Sequence, residues 1–267
     1  MKTLIQPVTG RRFKMGRNQP VARGPRFALR NYLRQSIPAP PESVDYAPAA
    51  GSALAEMYDN DTLGDCVIAC MGHIEGVFTG NVGQAAILPD AEIIRLYGSI
   101  GGYVPGDPAT DNGCDEQTAL NYWQRKGLGN HKHKIAAWLA VDGHNQTEVQ
   151  TALWLFENLM FGLDLPDKWV SPMPSASGFW WGKAGSPDPA NGHCVAGIGY
   201  TPAGVQISTW GMTGWMGYGA VSKYATTESQ GELYTVLSSD AIEKATAKAP
   251  NGFAFAQLLA DMHAMGL

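Results

Sequence analysis

The stretch Asn60-Asp-Thr-Leu-Gly-Asp-Cys-Val-Ile-Ala-Cys-Met-Gly-His73 decides how the rest of the chain is read. Gly64 and Asp65 have the chemistry of a turn running into a helix start. Val67, Ile68, Ala69, Met71, Ile74, Val77 and Phe78 follow, and this apolar run predicts a buried helix to about Gly80. Cys66 then falls in the first helical turn, where unpaired N–H groups and the helix dipole favour a thiolate. A nucleophilic cysteine also needs a histidine to hold its proton and a third group to orient that histidine. The competing reading of Cys66 is a small buried hydrophobe, the commoner fate of a free cysteine.

At 267 residues the chain is long enough for one large domain or two lobes with a real core. Apolar residues make up 45% and charged residues 16%, the balance of an ordered globular protein. Glycine (32) and proline (17) point to many turns rather than a helix bundle, and eight tryptophans suit an aromatic-walled cleft or a well-filled core. No apolar run reaches the roughly eighteen residues of a membrane span, and no apolar stretch precedes Arg11 and Arg12 as a secretory signal would. The four cysteines, at 66, 70, 114 and 194, are too sparse for a disulfide framework. Reduced thiols and a cytoplasmic or particle-associated location are therefore expected.

The net charge of −5 conceals an asymmetry. Residues 1–41 hold Lys2, Arg11, Arg12, Lys14, Arg17, Arg23, Arg26, Arg30 and Arg34 and no acid, whereas the remainder holds all 24 acidic residues. Such an arm can meet nucleic acid, a membrane or an acidic protein surface, and the nearest acidic surface is its own body or a neighbouring copy. Phe13, Phe27, Leu29, Tyr32 and Leu33 give it something to bury. It is read as a packing or assembly arm, with a protein partner or homo-oligomer expected through residues 1–41 and nucleic acid not expected.

Along the chain, residues 25–36 predict a short helix opened by Pro25, and Ile37-Pro-Ala-Pro-Pro41 a stiff linker. Helices are expected over 66–80, 89–98 and 115–126, the last ended by Gly127. Strands are expected over 134–141, 159–165, 193–200, 205–210, 218–224 and 232–237, with helices over 146–158 and 253–265. The resulting division is a basic arm and linker (1–41), a helical lobe (42–130), a β-rich lobe (131–240) and a helical tail (241–267). This is an α+β arrangement with a cleft between the lobes.

Three polar constellations hold residue types that can bind metals. Cys66, Cys70 and His73 share one helical face, and His131, His133 and His144 lie in polar loops. Asp107, Asp111, Asp115 and Glu116 form an acidic loop without EF-hand spacing. Core packing and solvation explain all three sets better than ligation. No convincing phosphate loop exists, and no metal or cofactor is expected.

His193 opens the strand His-Cys-Val-Ala-Gly-Ile-Gly-Tyr200, close to the ~130 residues beyond Cys66 at which papain-type enzymes place their histidine. Ser208-Thr-Trp-Gly211 and Gly214-Trp-Met-Gly-Tyr218 follow. With the Cys66 block and Gly113-Cys-Asp-Glu116, the chain over roughly 57–225 resembles a divergent member of the papain-like cysteine peptidase superfamily. The resemblance implies a papain-like fold, with a helical lobe and a barrel-like β-rich lobe. It implies Cys66 as nucleophile, His193 as its base and Asn60 in place of an oxyanion-hole glutamine. Asp115 and Glu116 would line the cleft with Trp210 and Trp215, and Trp210 would shield the histidine. Ser208 stands where the family carries the asparagine that orients the histidine; Thr209 competes for that role. Asp115 and Glu116 replace paired glycines, Leu63 replaces a cysteine that would bond Cys114, and the arm does not resemble the family's propeptide.

Two functions follow as expectations. One is a cysteine hydrolase or acyltransferase acting on a peptide or amide bond through Cys66 and His193. The other is a silent papain-like fold serving as a subunit of an assembly, such as a phage or virus particle, docked through its arm.

Overall fold

The computed structural model describes residues 1–21, 26–129 and 133–266. In chain order the elements are β1 (Thr3–Ile5), β2 (Arg12–Lys14), β3 (Val44–Asp45), α1 (Ala47–Leu54), α2 (Cys66–Gly80), α3 (Asp90–Gly101) and α4 (Glu116–Arg125). Next come β4 (Ala137–Ala140), α5 (Gln146–Phe156), β5 (Leu159–Asp164), α6 (Asp167–Val170), β6 (Phe179–Trp181), β7 (Gly192–Thr201), β8 (Gly204–Thr209) and β9 (Met212–Gly217). α7 (Tyr218–Tyr224), β10 (Glu232–Leu237), α8 (Ser239–Lys248) and α9 (Phe255–Ala264) complete the chain. The fold is α+β.

The helix α2 is buried on every side, with His73 and Glu75 enclosed among its apolar residues, as a helix apolar on all faces requires. Gly76 and Gly80 let α1 approach it: a Cβ at Gly76 would stand 2.2 Å from the Ala53 Cβ, and one at Gly80 2.4 Å from the Ala49 carbonyl. An eight-stranded sheet runs β4-β10-β5-β7-β8-β9-β6, with β3 added against β7. Its central strand β7 is covered on both faces. Cys194, Ala196 and Ile198 join the cluster around α2, while Val195 joins the opposite core with Leu153, Leu155 and Phe156 of α5. That alternation follows from the two-residue period of a strand.

The helices begin where local chemistry caps them. Asp115, Asn145 and Ser238 each accept a backbone N–H in the first turn of α4, α5 and α8. Lys244 and Lys248 of α8 pair with Glu157 at the end of α5.

Three local expectations change. Residues 218–224 are helical, not extended: Ala220, Val221 and Tyr224 face inward at a helical spacing that the aromatic, β-branched composition disguises. The helix expected over 25–36 reduces to one 3-10 turn, Leu29–Asn31, because Ala28 and Leu33 bridge to Ala140 and Phe253 instead; Pro25 lies outside the described residues. A strand not expected from the sequence, β9, carries two glycines and forms by pairing with β8.

The arm folds onto its own body. β1 and β2 make a two-stranded ladder, and Phe13 and Met15 are buried in the sheet's core, each worth ~1.5–3 kcal/mol of apolar burial. Lys2 pairs with Asp167 and Asp188, Lys14 with Asp111, and Arg17 with Glu116, Asp164 and Glu232. No helix among the described residues is long and apolar enough to cross a membrane.

Candidate active site

Cys66 is the first residue of α2 and is buried. Backbone N–H groups of Cys194 and Gly16 face its sulfur, but burial dominates and holds the thiol well above its ordinary pKa. Its neighbour Asp65 is also fully buried, and burial, with a smaller contribution from Asp59, pushes its carboxyl well above the usual carboxylate range.

His193 lies near the start of β7, completely buried. Its Nε2 is 2.7 Å from Thr209 Oγ1. The indole of Trp210 stacks on the imidazole with 4.4 Å between ring centroids and 23° between planes. Desolvation, with a smaller contribution from His73, lowers the His193 pKa to about 3. Its Nδ1 is buried without a hydrogen-bond partner, so the Cys66 thiol and the imidazole are not hydrogen-bonded here.

The β8–β9 hairpin sets this geometry. Thr209 and Met212 pair, leaving Trp210 and Gly211 as a two-residue turn. Both have positive φ, 55° and 66°, as a type I′ turn demands. Tryptophan rarely adopts that conformation; here it carries the indole over His193. Ser208 is buried with its hydroxyl unpartnered, on the face opposite Thr209. Of the two hydroxyls named from the sequence, Thr209 is the one that meets the histidine.

Asn60 does not present a free amide. Its Nδ2 donates to the carbonyls of Lys14 and Leu63, each at 3.0 Å. Asp115 is the cap of α4, and Glu116 is buried against Arg17. Trp215 is half-buried on β9, in register with Gln206 and Trp180. Of the histidines with metal-binding potential, His73 bonds the Glu56 carbonyl, His133 pairs with Glu75, and His131 lies outside the described residues. Among the described residues no three His, Cys, Asp or Glu side chains converge as a metal site.

The arm occupies the seam beside Cys66, a placement the sequence reading did not anticipate. Gly16 and Arg17 N–H both reach the Gly192 carbonyl at 3.1 Å. Cys114 N–H donates to the Gly16 carbonyl (3.1 Å), and Asn18 N–H to the Cys114 carbonyl (3.0 Å). A Cβ on Gly16 would fall 1.9 Å from the Gly64 carbonyl oxygen, so only glycine fits this crossing. The arm thus covers the thiol between the α2 side and the start of β7.

A buried helix start carrying a cysteine, packed against a strand carrying a histidine under a tryptophan, is a recognisable geometry. The chain has the papain-like cysteine protease fold. Xylellain, a cysteine protease from Xylella fastidiosa, superposes with a TM-score of 0.63 at 15% identity, covering 89% of this chain and 98% of that one. The digestive procathepsin L2 proteinase of Tenebrio molitor larval midgut gives 0.60 at 11% identity over 84% and 78%. Bromelain from Ananas comosus gives 0.52 at 10% over 74% and 99%. No protein-family model matches the chain, and no curated protein matches it by sequence. At these identities the likeness is one of fold.

Proposed function

We propose that this papain-like chain is a cysteine hydrolase or acyltransferase acting on a peptide or amide bond, held closed by its own basic arm. The observation that carries the reading is Cys66 at a helix start, covered by Gly16 of the arm and aligned beside the strand of His193. Burial disfavours both the thiolate and the imidazolium. Water entering as the arm leaves would relieve both penalties together and move the pair toward thiolate–imidazolium.

In the open form the Cys66 proton passes to His193, and the sulfur attacks the substrate carbonyl carbon. The Cys66 backbone N–H, joined by the Asn60 amide once Lys14 departs, would hold the oxyanion. His193 returns its proton to the leaving amine. Water completes hydrolysis of the thioester, or an amine completes a transfer. Thr209 orients the imidazole through Nε2, and Trp210 excludes water from that contact.

A second reading has support of its own: His193 Nδ1 and Ser208 Oγ are both buried and unpartnered, and the thiol is neutral. These suit a catalytically silent fold used as an assembly subunit, whether cytoplasmic or in a particle. The deciding experiment is the pH dependence of Cys66 alkylation by iodoacetamide in Gly16→Ala and in Gly16→Ala/His193→Ala. An apparent pKa well below ~8.5 that disappears with the histidine supports the hydrolase; a thiol-like profile indifferent to His193 supports the silent fold.

A further inference from the structure

Arg17 is a single cation enclosed by three buried carboxylates. Its side chain is fully buried, as are those of Glu116 and Glu232, and that of Asp164 nearly so. Nε lies 3.1 and 3.4 Å from the two oxygens of Glu116, Nη1 3.1 Å from Asp164 Oδ1, and Nη2 3.5 Å from Glu232 Oε2. Each nitrogen of the guanidinium addresses a different carboxylate. A lysine ammonium has no such fork.

The carboxylates do not belong to the arm. Glu116 begins α4, Asp164 ends β5 and Glu232 begins β10, so three separate elements of the body converge on one point. Room for the pair is built in. A Cβ on Gly162 would stand 2.0 Å from Glu116 Oε1 and 2.9 Å from Arg17 Nε. Other polar groups around the pocket hold the remaining oxygens of these carboxylates. Gln117 and Tyr234 bond Glu232 Oε1, and Gln19 bonds Asp164 Oδ2. Arg26 lies over the Tyr234 ring, 5.3 Å from its centroid. Glu232 Oε2 makes no hydrogen bond and lies 3.5 Å from the guanidinium, and the Glu116 and Glu232 carboxyls are close enough that, with burial, Glu232 helps push the Glu116 pKa up to about 8 against the opposing pull of Arg17.

Without Arg17 the body would bury three carboxylates with no cation inside the pocket, a state that costs several kcal/mol per charge or forces protonation. The arm's main chain, by contrast, is held through hydrogen bonds that any sequence can make, to Gly192 and Cys114. Phe13 and Met15 anchor the arm in the core; within the segment that crosses the seam, side-chain selection falls on two positions: the glycine that crosses Gly64 beside Cys66, and the arginine that follows it.

We propose that Glu116, Asp164 and Glu232 form an arginine-selective subsite of this cleft, occupied here by the chain's own Arg17, and that the ligand it accepts in trans is a peptide in which glycine precedes arginine. That such a peptide is a substrate rests on the hydrolase reading; that it binds does not.

The test uses the full chain with Arg17→Ala. Methylguanidinium and the peptide acetyl-Gly-Arg-Asn-amide are added separately, with methylammonium and the citrulline peptide as matched controls. Thermal unfolding and calorimetric titration are the readouts. Methylguanidinium is expected to raise the Tm of Arg17→Ala by at least about 3 °C at saturation, and the Gly-Arg peptide, which must also displace the arm's main chain, to raise that of Gly16→Ala/Arg17→Ala likewise; both leave wild type unmoved because its pocket is filled, and both act alike when Cys66→Ala is added. Equal shifts from methylammonium or the citrulline peptide, or no shift, overturn the subsite and leave Arg17 a structural anchor. If Arg17→Ala does not fold alone, its refolding yield with each ion is measured instead. Recovery with methylguanidinium alone supports the subsite, and recovery with neither ion or with both counts against it. Because the readout is binding and survives Cys66→Ala, an inert thiol leaves the subsite standing. A reactive Cys66–His193 pair with no guanidinium binding leaves the hydrolase standing without it.

Discussion

Thr209 Oγ1 stands 2.7 Å from His193 Nε2, while the hydroxyl of Ser208, one residue earlier on the same strand, is buried with no partner. Side chains on a strand alternate between faces, so only one of two neighbours can meet the imidazole. Thr209→Val keeps the shape and removes the hydrogen bond, leaving a buried ring nitrogen unsatisfied. A loss of ~1–3 kcal/mol is expected in urea unfolding at pH 7. Ser208→Ala removes a hydroxyl that bonds nothing and should change stability by less than ~0.5 kcal/mol in either direction. Equal costs for the two variants would refute the assignment of Thr209.

Acid should expose His193. Its imidazole stays neutral in the fold down to about pH 3 but protonates near pH 6.5 when unfolded. Between those values the unfolded chain binds the extra proton. The stability that this neutral burial supports is complete above pH 6.5 and drains away as pH falls toward 3. From pH 7 to pH 5, wild type should therefore lose about 2 kcal/mol more than His193→Asn, at 1.36 kcal/mol per pH unit below 6.5. His73, lowered to about 4 by burial, remains in both proteins and cancels in the comparison. Parallel pH profiles for the two would show that the imidazole is not held neutral.

The elements that placed the site were legible because their signals are local. A predominantly apolar run makes α2, and the His193–Tyr200 run makes a central strand covered on both faces. What was not legible depends on register and on distant contacts. Choosing Thr209 over Ser208 requires the pairing of β8 with β7, which no local pattern gives. β9 carries two glycines and forms by pairing with β8, and Tyr218–Tyr224 has strand-like composition in a helix fixed by packing. The position of the arm had only indirect signals: a lone glycine between Met15 and Arg17, and acids at 116, 164 and 232 that are far apart in sequence.

The arm is part of the core as well as a cover. Phe13 is fully buried, its ring 5.2 Å from that of Trp210, so it braces the same indole that stacks on His193. Phe13→Ala should cost ~3–5 kcal/mol, the range for emptying a phenylalanine site, measured by chemical denaturation. A cost below ~1 kcal/mol would mean that the arm is only loosely seated in solution.

Gly16 offers the sharpest test of the closed state. A methyl group there would lie 1.9 Å from the Gly64 carbonyl oxygen and 2.2 Å from its carbon, backbone atoms at the entry to α2 that have no rotamer to escape into. The arm must lift for Gly16→Ala to fold, and lifting it uncovers Cys66. Alkylation of Cys66 at pH 8, followed by peptide mapping to separate it from Cys70, Cys114 and Cys194, should run at least about tenfold faster than in wild type, equivalent to ~1.4 kcal/mol of lost closure. Gly51→Ala is the control, since a Cβ at Gly51 in α1 meets nothing within 4 Å; it should leave the rate unchanged. Similar rates for Gly16→Ala and wild type, with both folded, would mean that the arm does not gate the thiol.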